Sequence, residues 1–292
     1  MKFGLWFVNT GPWATPDGAS QLIRAAESSG FESLWTVDHP MFIGEYDSKY
    51  PYNPSGRVMI PLDTPVVESF PFLGWAAGQT STLKLGTGVL VLPHRNPVIT
   101  AKLAASLDAM SGGRLLLGVG IGWLREEFDA IGVDFDDRAV RFEEGIATMR
   151  AIWNQPVAQF DGRYHSFKGV YSYPKPKNPD GIPILIGGSS LVAVRRAGRI
   201  GDGWFGVAGG KVPLERLITE LRAAAETEGR DPDAIEISWG VAPGEDGTMV
   251  LTRDDVRRYQ EMGVHRLIVP PPTLEPDHIV EATEEFAASY LR

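Results

Sequence analysis

The stretch Gly30-Phe31-Glu32-Ser33-Leu34-Trp35-Thr36-Val37-Asp38-His39-Pro40 contains a helix stop, a buried strand and a polar strand end in direct succession. Gly30 follows a run of helical period, Asp17–Ser29, and glycine there accepts the left-handed conformation that ends a helix. Ser33–Val37 is short, apolar and β-forming, without the alternation of a half-exposed strand. The same succession recurs along the chain. Strands are expected at Phe3–Asn9, Ser33–Val37, Leu83–Leu92, Leu115–Ile121, Pro183–Gly187, Gly203–Val207, Ile235–Val241 and His265–Val269. Helices are expected at Asp17–Ser29, Pro65–Thr80, Pro97–Met110, Arg138–Trp153, Ser189–Arg199, Pro213–Glu228, Arg253–Met262 and Asp277–Tyr290. Further stops stand at Gly112-Gly113, Gly201 and Gly263. Apolar strands in strict alternation with helices require a parallel sheet covered on its faces, and eight such units predict a closed (β/α)8 TIM barrel, with an open doubly wound sheet as the alternative.

The 292 residues suit one barrel domain spanning 1–292, and 43% hydrophobic with 22% charged residues supply a large core. A net charge of −9 argues against nucleic acid or anionic lipid as partner, because both need clustered Lys and Arg. Cysteine is absent, which excludes thiolate catalysis and disulfides and fits a cytoplasmic protein. The opening Met1-Lys2-Phe3-Gly4-Leu5-Trp6-Phe7-Val8-Asn9 reads as a first strand, not a signal peptide, and no run has the ~18 apolar residues of a membrane span. His94, His165, His265 and His278 show no metal-ligand spacing, so no protein-bound metal is expected. No Gly-x-Ser-x-Gly elbow, P-loop or Gly-x-Gly-x-x-Gly fingerprint occurs at a suitable place.

Two segments are too long for simple connections. Residues 39–64, rich in Tyr, Pro and Gly, suit an ordered loop over the barrel mouth. Residues 154–181 contain two alternating runs about Asp161-Gly162, a β-hairpin insertion.

Catalytic groups of a parallel barrel come from the C-terminal strand ends and the loops beyond them. Asp38-His39 ends the second strand, where an imidazole beside a carboxylate can exchange protons; a loop-capping Asp38 and a satisfied rim His39 fit the dipeptide equally well. Gly88 interrupts the third strand and marks either a close approach or barrel curvature, and Arg95 beyond it is a candidate anion contact. Gly120-Ile121-Gly122 end the fourth strand, where small residues open room at the mouth. Gly187-Gly188-Ser189-Ser190 lie between a strand and a helix N-terminus, an arrangement that binds phosphate or simply caps the helix. Trp35, Trp153 and Trp204 read as core, whereas Trp6 can face the mouth.

Taken in order, Gly30–His39, Leu85–Pro93, Arg95–Val98, Leu107–Leu115, Leu117–Trp123, Ile184–Gly188 and Ala197–Trp204 resemble the luciferase-like monooxygenase superfamily, within it the F420-dependent oxidoreductases, over nearly the whole chain. The resemblance implies FMN or the deazaflavin F420 at the barrel mouth, with a small-molecule substrate stacked on the ring. It implies that Asp38 and His39 touch the cofactor and serve in proton transfer, Asp38 orienting or polarising His39. It further implies a bulged third strand at Gly88-Val89 with a non-prolyl cis peptide behind the ring. Gly120, Ile121 and Gly122 would lie along the cofactor, and Gly187, Gly188, Ser189 and Ser190 would hold its phosphate. The insertion at 154–181 matches the family's insertion segment, while the loop after His39 is where members vary most. No Lys or Arg cluster marks a site for the polyglutamyl tail of F420, so FMN stands beside it. The implied activity is F420-dependent hydride transfer to or from a small organic substrate by a homodimer. The alternatives are an FMNH2-dependent monooxygenase, a non-redox barrel lyase or isomerase using His39 as base, and a non-catalytic flavin-binding protein.

Overall fold

Each apolar run forms a strand that pairs with its neighbours by backbone hydrogen bonds, and each amphipathic run forms a helix laid outside it. In the computed structural model, which describes residues 1–58, 60–241 and 251–291, the strands are β1 (Lys2–Leu5), β2 (Ser33–Thr36), β3 (Lys84–Thr87), β4 (Leu90–Val91), β5 (Leu115–Gly120), β6 (Ala158–Asp161), β7 (Ser166–Val170), β8 (Ile184–Gly187), β9 (Gly203–Val207), β10 (Glu236–Gly240) and β11 (Arg266–Val269). The pairing order β3-β2-β1-β11-β10-β9-β8-β5-β4 is parallel throughout and closes through β3–β5. The predicted third strand is split into β3 and β4 at Gly88-Val89, whose peptide is cis, so eight strand positions form the closed barrel. The (β/α)8 prediction holds, and the open-sheet alternative does not.

The helices are α1 (Pro16–Ser29), α2 (Ser69–Ala77), α3 (Pro97–Ser111), α4 (Arg125–Ile131), α5 (Arg138–Asn154), α6 (Leu191–Ile200), α7 (Leu214–Thr227), α8 (Arg253–Glu261) and α9 (Ile279–Tyr290). Local chemistry sets their starts. Thr15 accepts from the Gly18 N–H and precedes Pro16, and Asn96 accepts from Val98 and Ile99 ahead of Pro97. Thr252 and Asp255 form a reciprocal capping box at α8. Gly30 and Gly112 end α1 and α3 in the left-handed conformation, with φ of 87° and 75°.

Some boundaries differ from expectation. β1 ends at Leu5 because Phe7 adopts a φ of 54°, and Asn9 then ties the chain down by donating its amide to Val37 O and Val67 O. The helix expected from Pro65 starts only at Ser69, since Val66 bridges to Thr10 and Glu68 supplies the cap to the Phe70 N–H. Helix α4 was not anticipated. The hairpin is present as antiparallel β6–β7, but Asp161 pairs with Ser166, so residues 162–165 make the turn in place of Asp161-Gly162. The mouth loop 39–64 has no strand or helix among its described residues, and its Met59 lies outside them.

Two cores result. Apolar faces of the helices pack on the outside of the strands, with Trp153 and Trp204 buried there. Inside the barrel, Trp6, Trp35, Leu116, Leu185, Phe205 and Ile268 fill the lumen. Trp6 is thus part of the filling beneath the mouth, its indole N–H donating to Gly88 O at 2.9 Å. Phe7, Val37, Val89 and Val207, only partly buried, lie on this filling as the apolar floor of the mouth. Among the described residues no helix is long and apolar enough to cross a membrane.

Candidate active site

Strand β2 ends at Thr36, and the next residues emerge at the C-terminal rim. Asp38 and His39 are adjacent in sequence but hold different partners. Asp38 Oδ2 accepts from the Val91 N–H at 2.9 Å and Oδ1 from Arg95 Nη2 at 2.6 Å, so it fastens β2 to the second half of the split strand. Arg95 also pairs with Glu68 at 2.8 Å. Its guanidinium is therefore committed to two carboxylates and is not the free anion contact the sequence suggested.

The carboxylate hydrogen-bonded to His39 is Glu127, with Oε1 2.9 Å from Nδ1. This corrects the expectation that Asp38 orients the ring. Glu127 belongs to the first turn of α4 and is 2% exposed. Its placement follows from Gly122, which reverses the chain after β5 with φ of 80° and leaves space that Phe128 and Val91 fill; a Cβ there would lie 2.6 Å from the Phe128 ring. Phe128 seated on Gly122 carries Glu127 toward β2. Burial alone would lower the His39 pKa, but the hydrogen bond and charge of Glu127, with the field of Asp38, hold it above the ordinary value. His94, whose ring meets that of Phe128 edge-on, has no hydrogen-bond partner on either nitrogen among the described residues, and burial pushes it down to about 4.

The predicted glycines converge on one side chain. A Cβ at Gly120 would lie 2.7 Å from Val89 Cγ2, and one at Gly187 would lie 2.8 Å from Val89 Cγ1. These glycines therefore leave no open room. They admit Val89, whose side chain enters the lumen from the Gly88-Val89 step. Ile121 packs against the outer core, so only its backbone is available to the mouth.

At the fifth-strand loop, Gly188 has a φ of 121° and its carbonyl accepts from the Trp204 indole. Ser189 Oγ donates to Val207 O at 2.7 Å and accepts from Val207 N–H at 2.8 Å. Ser190 Oγ caps α6 by accepting from the Ala193 N–H. The Ser189 hydroxyl is thus used within the protein in both roles, whereas Ser190 only accepts, so the loop offers a ligand its backbone, the N-terminus of α6 and the Ser190 O–H. The Ser189 N–H donates to the Tyr52 hydroxyl at 3.3 Å, bringing the mouth loop onto this turn. Burial raises the Tyr52 pKa despite that bond, and burial with the neighbouring Tyr52 pushes Tyr50 up to about 12.

Between His39 and the mouth loop lies a cavity of about 540 Å3 walled by Phe42, Ile43, Tyr46, Ile60, Leu62, Trp123 and Leu124. Tyr46 and Tyr50 meet Trp123 edge-on, with centroids 5.7 and 5.2 Å apart. The sequence analysis assigns no role to Glu127, Phe42 or Trp123. An acidic pair opening a helix after a strand end was the one available signal. Glu126 instead anchors the loop, accepting from Asp47 N–H at 2.7 Å and Ser48 N–H at 3.2 Å. Among the described residues no group of three or more His, Cys, Asp or Glu is placed to hold a metal.

An uncharacterised protein of Mycobacterium tuberculosis is 35% identical over 260 residues, 88% of this chain and 86% of its own. An F420-dependent glucose-6-phosphate dehydrogenase of Kineococcus radiotolerans is 30% identical over 217 residues, 72% of this chain and 59% of its own. The crystal structure of the monooxygenase RslO1 from Streptomyces bottropensis superposes with a TM-score of 0.76 at 23% identity, covering 100% of this chain and 99% of that one, which shows a shared fold. The family model of the luciferase-like monooxygenases matches residues 1–265, and the chain belongs to that family.

Proposed function

We propose that this oxidoreductase uses F420 to move a hydride to or from a small organic substrate, with His39 as the proton partner. The observation that carries the reading is the His39–Glu127 pair opening on the cavity beside an apolar floor. The F420-dependent relative supports the choice of cofactor.

The residues at the mouth fit such a group. Phe7, Val37, Val89 and Val207, partly buried on the lumen filling, offer apolar surface to a ring. The Tyr52 oxygen on the Ser189 N–H shows that this turn presents a donor outward, and a phosphate oxygen could take the same bond beside the α6 N-terminus. Bound F420 would supply the two-electron partner, so that substrate oxidation delivers a hydride to its ring and a proton to the protein, and reduction returns both.

The chain's own part is the proton and the exclusion of water. With Nδ1 held by Glu127, the Nε2 of His39 is the nitrogen left for the substrate, and it has no protein partner among the described residues. Glu127 and Asp38 favour the imidazolium, which stabilises His39 after it takes a proton and keeps it charged as a donor in the reverse direction. The aromatic wall of Phe42, Tyr46 and Trp123 restricts water around that exchange.

Parallel titration with F420 and FMN tests the reading. F420 is expected to bind and to be reduced or reoxidised in the presence of a substrate. Binding of FMN without F420 would shift the reading to a flavin monooxygenase, and binding of neither would overturn it.

A further inference from the structure

The cavity above His39 is set apart from the α6 N-terminus: none of Gly187–Ser190 lines it. Its substrate must therefore be recognised by its own wall. That wall is built mainly from Phe42, Ile43, Ile60, Leu62, Trp123 and Leu124. Among the described residues three acidic or basic ones other than His39 line it: Glu45, Asp47 and Arg57. One N–H of the Arg57 guanidinium donates to Tyr46 O at 2.7 Å, and the group lies 4.4 Å from the Tyr46 ring centroid. The charge on His39 faces Glu127 at 2.9 Å. Two carboxylates outnumber the one guanidinium and the wall is otherwise mainly hydrocarbon, so an anion meets net repulsion, and a desolvated phosphate, which needs several charge-assisted donors to replace its water, finds only Arg57 and the Nε2 side of His39.

We propose that this cavity takes an uncharged, mainly hydrocarbon substrate and excludes phosphorylated or carboxylated ones. The reaction performed on that substrate rests on the oxidoreductase reading; its binding does not. The cavity size suits a small cyclic alcohol or ketone presented by its polar end to His39. The chain thereby departs in substrate class from the sugar-phosphate dehydrogenase named among its relatives.

Calorimetric titration tests the proposal, using menthol and acetophenone as uncharged probes and glucose 6-phosphate and benzoate as anions, with the protein alone and with F420 added. At least one uncharged probe is expected to bind tenfold or more tighter than either anion. Leu62→Asp, at a side chain that is 60% exposed, is expected to weaken that binding at least tenfold without changing the melting temperature or the F420 affinity. The double substitution Glu45→Lys with Asp47→Lys is expected to raise glucose 6-phosphate affinity several-fold, a gain that misfolding cannot mimic. An anion binding as tightly as the best uncharged probe, no binding of either uncharged probe, or no response to both variants would overturn the proposal. Uncharged binding that survives with F420 binding absent would instead overturn the cofactor reading alone.

Discussion

The two ends of the barrel use the same chemistry, a carboxylate and a cation paired with one partner buried and the other partly so, for opposite purposes. At the N-terminal end Arg266, 1% exposed, is clasped by Glu32 through bonds of 2.7 and 2.8 Å, donates to Ser238 at 2.8 Å, and lies 3.1 Å from Glu236 and 5.5 Å from the Trp35 ring centroid. Every face of the guanidinium is occupied, and the charge can only hold the strand ends together. At the C-terminal end Asp38, Arg95 and Glu68 form a similar clasp, but the neighbouring His39–Glu127 pair meets a cavity and keeps one ring nitrogen free. The contrast teaches that a buried ion pair becomes chemistry where a cavity reaches one of its titratable atoms; elsewhere it fixes geometry.

The sharpest way to break this comparison is to remove the reactive atom. His39→Ala should lower turnover about 10²–10⁴-fold, the usual value of a general acid or base, with denaturation midpoints little changed. Retained turnover would make His39 a rim residue. Arg266→Ala should do the reverse, destabilising the fold by about 3–5 kcal/mol in urea titrations because it strands Glu32 without its cation, while cofactor affinity per folded molecule is kept. Burial would raise the Glu32 pKa, but the Arg266 hydrogen bond and charge hold it below the usual carboxylate range, so the stability it adds above pH 4.5, lost as pH falls through its lowered value, should largely vanish in this variant.

Glu127→Gln gives a smaller effect that pH can isolate. The raised His39 pKa means the folded state binds the proton more tightly than the unfolded chain. The resulting stabilisation is therefore full below the ordinary histidine value of 6.5 and is lost as pH rises through the folded value. The stability difference between wild type and Glu127→Gln should shrink over that range, and the His39 titration followed by NMR should move down in the variant. An unmoved titration would mean that Glu127 only packs. Smallest of all, Ser190→Ala should cost about 1 kcal/mol in urea titrations, as loss of an N-cap does, and weaken cofactor binding only slightly, because the backbone donors of the loop remain.

Much of this was legible in the sequence because it is local or repeated. Gly30, Gly112, Thr15 and Asn96 act within one turn of themselves, and the helix ends they specify are where the pattern put them. The break at Gly88-Val89 was visible as a glycine in an apolar strand, its cis peptide only through the family resemblance. His39 was found from its position at a strand end. Its partner was not, since Glu127 is 88 positions away and the adjacent Asp38 was the more obvious choice. Gly120 looked like open room at the mouth and Gly187 like part of a phosphate loop, because a sequence does not say which side chain will enter the gap beside them; Val89 does.

The sequence by itself determined the barrel, its punctuation and the strand end that carries the imidazole, because hydrophobic period, caps and strand-end polarity are encoded within a few residues of where they act. Only the tertiary structure decided which carboxylate meets that imidazole, what fills the space the glycines make, and that the cavity wall is apolar with spare negative charge. Each of these depends on closing the barrel, which brings β2, the turn after β5 and the loop beyond His39 to one rim.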